Sequence, residues 1–339
     1  MNSSPAVSIV LPYRDARETL PEAVGSALAQ THGDFELLAI DDGSRDDGPR
    51  WLQAIAATEP RLRPLATAAG ERGLVSALNL GLRMARSQWV ARMDADDRMH
   101  PQRLQRQLAH ASSHPHWTLI ACQARLFPEQ IVQTGMREYM RWQNACLTPE
   151  QIATEIYVES PFVHPSVMFR RSHVLELGGY RPGDFPEDYD LWLRLHRAGR
   201  IMGKLPEILL DWRESPQRLS RTDPRCSRQA FDRLRARYLA TDPRLKDRPL
   251  AFWGAGKSTR QRARHLMDLG YRPTAWIDID PRKIGNRIDG IPVVPPAWLR
   301  QPGKPFVLGY VARHGAREII STRLIGMSYR QGQDWLMVG

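Results

Sequence analysis

One order recurs through the first hundred residues: a short apolar run, a charged pair, then a stretch with helical apolar spacing. VSIVLP, from Val7, is rich in β-branched residues and runs into Arg14-Asp15. Leu20, Ala23, Val24, Ala27 and Leu28 follow at helical spacing. ELLAID closes on Asp41-Asp42, and a helix-like stretch passes through Trp51 and Ile55. RLRPLAT, GLVSALNLGLRMAR and QWVARMD repeat the strand–helix–strand order and end at Asp94-Ala95-Asp96. Alternation on this scale predicts an α/β fold with a mostly parallel sheet, helices on both faces. In such sheets ligands sit at the carboxyl ends of the strands, where all these polar clusters fall.

A chain of 339 residues exceeds the usual single-domain size and predicts two domains. Beyond about residue 215 the sequence turns rich in Pro, Ser and Arg, and a fresh strand, PLAFWGAG, opens near Leu250. The expected division is a first α/β domain over 1–222, a basic helical linker over 223–246 and a small α/β domain over 247–339. A hydrophobic content of 42% and a charged content of 25% are those of a globular protein. No apolar run reaches the roughly 18–20 residues of a membrane-spanning helix. MNSSPAVSIVLP lacks the basic stretch and long apolar core of a secretory signal. Cys122, Cys146 and Cys226 are too widely spaced for a metal motif or a disulfide framework, so reduced thiols and a cytoplasmic location are expected. The net charge of +11 suits acidic substrates or peripheral contact with an anionic membrane face. No signature of nucleic-acid binding is present. The arginines of RCSRQAFDRLRARYLATDPRLKDR read as readily as a solvated helix face as a binding patch.

Two acidic segments carry chemistry. In MDADD, Asp94 and Asp96 point the same way if the segment is extended, and carboxylates so placed suit Mg²⁺ or Mn²⁺. The plainer reading is a polar turn in which Asp97 caps a helix starting near Pro101. In PEDYDLWLRL, helical spacing sets Asp188 on one face with Leu191, Trp192 and Leu195. Asp190, Arg194 and Arg197 fall on the opposite, polar face. A carboxylate aimed at the interior needs a reason to be there, and a base facing a cleft supplies one.

The last hundred residues offer a second candidate site. Gly254 and Gly256 follow a strand, and Asp278 closes the next one about 20 residues later, the outline of a dinucleotide-binding βαβ unit. Thr259 stands where the fingerprint has its third glycine, and Ala251 stands where a phosphate-binding Walker loop needs its first. A packed appendage that binds nothing and a nucleotide-binding module both fit.

Taken together, the segments resemble the inverting family-2 glycosyltransferases of the GT-A fold, over roughly residues 6–222. VSIVLPYRD is similar to the family's first strand and nucleotide turn, and DFELLAIDDGSRDDG to its second-strand motif. ERGLVSALNLGLRMARSQWVARMDADD is similar to the helix leading into the metal motif. HPSVMFRR and GGYRPGDFPEDYDLWLRLHRAG are similar to the acceptor side with its acid pair. The resemblance implies that Pro12, Tyr13, Arg14 and Asp15 line a nucleotide pocket. Asp42 would accept from the donor's base, commonly uracil, and Asp41 would support that loop. Asp94 would sit near ribose and metal, Asp96 would ligate Mn²⁺ or Mg²⁺, and Asp188 would be the base. The implied partners are a nucleotide-sugar donor and a glycan or lipid-linked acceptor. Arg14 stands where many relatives have an aromatic residue, and Arg72 replaces a frequent Asn and suits phosphate. Glu214 follows Trp212-Arg213 where the family often has a histidine near the metal. The end of the chain resembles small Rossmann-like modules attached to sugar-processing enzymes. A sugar nucleotidyltransferase would need a glycine-rich loop after the first strand, and PYRDARETL has no glycine. A non-catalytic scaffold would have no use for Asp42, Asp94, Asp96 and Asp188 together.

Overall fold

The computed structural model describes residues 4–311 and 315–339. The chain divides into two compact units. The first is Met1–Pro149, Pro161–Gly183 and Glu187–Arg221; the second is Glu150–Ser160, Asp184–Pro186 and Thr222–Gly339.

The first unit opens with β1 (Val7–Tyr13), α1 (Leu20–Leu28), β2 (Phe35–Asp41), α2 (Gly48–Ala56) and β3 (Leu62–Ala66). It continues through α3 (Leu74–Met84), β4 (Trp89–Arg92), β5 (Arg98–Met99), α4 (Arg103–Ser113), β6 (Trp117–Phe127) and α5 (Thr134–Ala145). α6 (Pro149–Glu155), between α5 and β7 in the chain, belongs from Glu150 onward to the second unit, while β7 (Met168–Arg170), α7 (Arg171–Glu176), α8 (Glu187–Arg197), β8 (Ile201–Arg213) and α9 (Leu219–Thr222) complete the first. Its 8-stranded sheet has the order β3-β2-β1-β4-β7-β6-β8-β5. The first four strands in that order are mutually parallel, and β7 enters antiparallel between β4 and β6. Every residue of β1 is buried, which is why its sequence is a continuous apolar run rather than an alternation. α3 lies close over β1: a Cβ on Gly81 would stand 2.5 Å from Val10 Cγ1, so glycine permits the approach.

Within the second unit, α10 (Arg228–Leu239) precedes β9 (Leu250–Trp253), α11 (Lys257–Met267), β10 (Ala275–Ile277), β11 (Arg287–Ile288) and β12 (Ile291–Val294). β13 (Phe306–Gly309), α12 (Ala316–Ile325) and β14 (Trp335–Met337) complete it. The order is β11-β12-β10-β9-β13-β14, with β9 starting the parallel part and β13 on its other side. That reversal makes a topological switch point at the carboxyl ends of β9 and β13. α10, in the stretch expected as a linker, is packed rather than solvated: Ala230, Leu234, Arg235 and Leu239 are buried, and Arg235 pairs with Asp232 at 2.5 Å. Among the described residues no helix is long and apolar enough to cross a membrane, and all three cysteines are free thiols.

Candidate active site

The strand register brings the sequence's acidic clusters to one edge of the first sheet. Tyr13 is level with Asp41, so β1 and β2 end side by side, and β4 ends at Arg92 level with Val10, on the other side of β1. Past β4 the chain places Asp94, Asp96 and Asp97 with one carboxylate oxygen each within 4.8 Å of the others. Asp94 and Asp96 are half-buried, and Asp97 is buried. Burial, and then the neighbouring Asp94, push the Asp96 carboxyl up to about 6. Burial, Asp94 and Asp96 likewise hold Asp97 well above the usual carboxylate range. Asp97 does not cap the following helix, as the plainer reading expected; that helix starts at Arg103 with Gln102 before it. One Asp97 oxygen accepts from the Arg213 backbone N–H at 2.7 Å, and the other is buried without a hydrogen-bond partner among the described residues. Crowded carboxylates with an unsatisfied buried oxygen are the donor set a hard divalent cation relieves. The loop is pinned from outside: Thr19 Oγ1 donates to the Ala95 carbonyl at 2.9 Å and Arg213 Nε to the Asp96 carbonyl at 2.6 Å.

The proposed nucleotide residues gather beside it. Pro12 and Tyr13 are the last residues of β1, paired with Ile40 and Asp41. Burial first, then Asp41 and Asp46, hold the Tyr13 phenol well above its ordinary value. Asp15 adopts φ +49°, accepts from the Arg45 N–H at 2.6 Å and donates its own N–H to Ser44. Arg14 stays half-exposed, 3.8 Å from Asp15, a surface pair of little energetic weight. Asp41 accepts from the Ser44 N–H at 2.9 Å and so supports the loop. Asp42 is buried, and its Oδ1 accepts from the Gly73 N–H at 2.6 Å. Arg72 is exposed and lies against Gly43, where a Cβ would stand 2.7 Å from its Nε; Gly43 also has φ +81°.

Asp188 is in the first turn of α8 and is half-buried. Burial first and the Glu187 charge second raise it to about 7, against the lowering effects of the Tyr189 N–H and Arg92. The helical-face expectation for its neighbours does not hold. Asp190 and Arg194 are both buried and joined at 2.7 Å, and Arg194 also donates to the Leu177 carbonyl at 3.0 Å. Only Arg197 of the expected polar face is exposed. Asp190→Asn is therefore expected to act on stability, by about 2–4 kcal/mol in urea unfolding, since removing one partner of a buried pair strands the other. An Asp190→Asn protein as stable as the wild type would contradict that reading.

Arg92 escaped the sequence reading. It is buried at the end of β4 and forms an ion pair with Asp94. Glu214, at 2% exposure, binds Arg221 at 2.8 Å and Arg218 at 3.4 Å, so it organises arginines rather than joining the acidic trio. Arg218 stacks on Trp212 at 3.7 Å, and its charge acts on Asp96 and Asp97.

In the second unit Gly254, Gly256 and Asp278 also converge. Asp278 accepts from the Ala255 N–H, which lies between the glycines, at 2.9 Å, from the Asp280 N–H at 2.9 Å and from Lys283 at 3.2 Å. Its carboxylate is thus engaged inside its own loop. Gly254 has φ +111°, and Thr259 packs against it where a Cβ would stand 2.7 Å from the Thr259 methyl.

Comparison with known proteins agrees with the first unit's architecture. A model of the glycosyl transferase family 2 matches residues 8–178. EpsE of Bacillus subtilis, named a glycosyltransferase, is 32% identical over 228 residues, covering 65% of this chain and 77% of its own. The amylovoran biosynthesis glycosyltransferase AmsE of Erwinia amylovora is 31% identical over 207 residues, covering 60% of this chain and 74% of its own. Among solved structures, TarS residues 1–349 of S. aureus with UDP-GlcNAc superposes with a TM-score of 0.57 at 14% identity. That alignment covers 77% of this chain and 70% of TarS 1–349, and it identifies the fold as GT-A-like. Fold, matched family model and relatives converge: the chain belongs to glycosyltransferase family 2 and is an enzyme of that class.

Proposed function

We propose that this glycosyltransferase moves a sugar from a nucleotide-diphosphate donor, UDP-linked by preference, onto a hydroxyl of a growing polysaccharide or glycolipid. The observation that carries the reading is the three-carboxylate cluster that follows β4, with Asp188 on α8 and the cluster both acted on by the charge of Arg92. Asp42, held by the Gly73 N–H, faces the base; Arg14 and Arg72 offer guanidinium groups for phosphate. Asp94 and Asp96 hold a divalent cation, with Asp97 beside them. When bound, that cation supplies charge stabilisation for the departing diphosphate. Asp188, raised to about 7, takes the proton of the acceptor hydroxyl near neutral pH. The acceptor oxygen forms its bond to the anomeric carbon as the bond to the diphosphate oxygen breaks, in line and with inversion. The nucleoside diphosphate leaves. AmsE, a relative named for amylovoran biosynthesis, supports the polysaccharide side of the proposal.

Calorimetric titration with nucleoside diphosphates tests the donor side. UDP should bind more tightly than GDP, ADP or dTDP, and chelating the divalent cation should weaken it at least tenfold. Equal binding of all four nucleotides, indifferent to the cation, would overturn both the base preference and the cation's place in the site.

A further inference from the structure

The scheme above uses only the charge of Arg92 and gives its side chain no task, yet its setting is unusual. It is 2% exposed, and its strand, β4, is near the middle of the sheet. Its backbone is clamped: the N–H donates to the Val167 carbonyl at 3.0 Å, and its carbonyl accepts from Arg103 Nη2 at 3.1 Å. Arg103 is itself fully buried and also bonds the Val167 carbonyl at 3.1 Å, so the strand end cannot shift without breaking both contacts. From this fixed base Nη1 of the guanidinium makes its ion pair with Oδ1 of Asp94, whose side chain is 31% exposed. The Arg92 Nε is buried with no hydrogen-bond acceptor among the described residues.

We propose that Arg92 is a positioning residue: by gripping one oxygen of Asp94 from the buried side, it aims the other toward the cation that Asp94 and Asp96 share. The reading rests on the cation assignment above. A guanidinium gives the fixed, planar grip that this needs, and an ammonium does not. Groups that orient a metal ligand in this way matter to affinity by about 10–100-fold. Burial works against the charge of Arg92, and Asp94, Tyr180 and Asp97 together more than offset it. The same charge reaches His164, Tyr180 and Asp188, so the residue that sets Asp94 also borders the base. His164 Nε2 lies 2.8 Å from the Tyr180 hydroxyl, and Asn79 ties the Tyr180 backbone at 2.8 and 2.9 Å, which fixes that flank too.

The alternative is a plain counter-ion, and the two differ in sign. A counter-ion, once removed, leaves the cluster more negative, and Mn²⁺ then binds more tightly. A positioning residue, once removed, leaves Asp94 unaimed, and Mn²⁺ binds more weakly. The experiment is Mn²⁺ titration of the full chain without donor, followed by paramagnetic resonance, for wild type, Arg92→Gln, Arg92→Lys and Asp96→Ala, with thermal melts for each. Arg92→Gln should weaken Mn²⁺ by about 10–100-fold. Arg92→Lys keeps the charge but not the rigid, planar guanidinium, so it should recover part of that loss while remaining weaker than wild type. Turnover at saturating donor should fall in the same order. Tighter or unchanged Mn²⁺ in Arg92→Gln overturns the proposal; if that variant does not fold, wild-type affinity in Arg92→Lys does so instead. Wild-type affinity in Asp96→Ala would show that the cation assignment itself is at fault.

Discussion

Asp188→Asn is expected to lower turnover by about 10²–10⁴, the usual weight of a general base, while leaving donor affinity unchanged. Burial and Glu187 raise this carboxyl to about 7, so the wild-type profile of kcat/KM against pH should bend near 7 and fall tenfold per unit below it. The same shift has a consequence for stability. An aspartate titrates near 3.9 in the unfolded chain, so between about 4 and 7 the unfolded state has lost a proton that the folded state keeps. Stability is therefore full below about pH 4 and declines as pH rises toward 7. Asparagine carries no such charge, and Asp188→Asn should melt higher than wild type at pH 8 although it is nearly inactive. Higher stability with lower activity is the signature of a desolvated functional acid. An Asp188→Asn enzyme with wild-type turnover would rule this carboxylate out as the base.

Chelation is expected to abolish transfer, with Mn²⁺ or Mg²⁺ restoring it. Asp96→Ala should lose at least 10²-fold and not be rescued by either metal, since stabilising the charge of a leaving group is often the greatest single contribution an active site makes to rate. The structural ground is the crowding itself. Asp94, Asp96 and Asp97 bring carboxylate oxygens within 4.8 Å, and Asp97 keeps a buried oxygen with no partner among the described residues. Arg218 acts on Asp96 and Asp97 from the side of Trp212, but Glu214 already neutralises part of its charge. Full activity of Asp96→Ala in the presence of chelator would contradict the assignment.

How much of this was legible from residues alone follows from what each residue's pattern could encode. β1 and β2 read as strands because both their faces are buried, which writes itself as a continuous apolar run. Their carboxyl ends were equally legible, because parallel strands carry their ligand groups there and Asp41, Asp42 and Asp94 fall in that place. α1 buries Leu20, Ala23, Val24 and Ala27, the stripe its spacing predicts. Asp190 and Arg194 were misread because an acid and a base four residues apart look the same on a solvated face and in an interior. Only the environment, with Tyr189, Leu191, Trp192 and Leu193 all fully buried around the pair, distinguishes them. Arg92 was hidden for a related reason: a single arginine in a short strand usually marks the outward face, and nothing local reveals that Asp94 turns back to meet it. Residues 150–160 pack in the second unit although the chain returns to the first unit at Pro161, a long-range placement that no spacing announces.

The most direct measurement is release of nucleoside diphosphate from a panel of sugar nucleotides with a hydroxyl acceptor, run with Mn²⁺ on wild type, Asp96→Ala and Asp188→Asn together. Wild type should release UDP from a UDP-sugar, and both variants should lose that release. UDP binding should be retained in Asp188→Asn but weakened in Asp96→Ala. Wild-type release that persists in both variants would contradict the proposed mechanism, because neither the acidic cluster nor the α8 carboxylate would then take part in transfer.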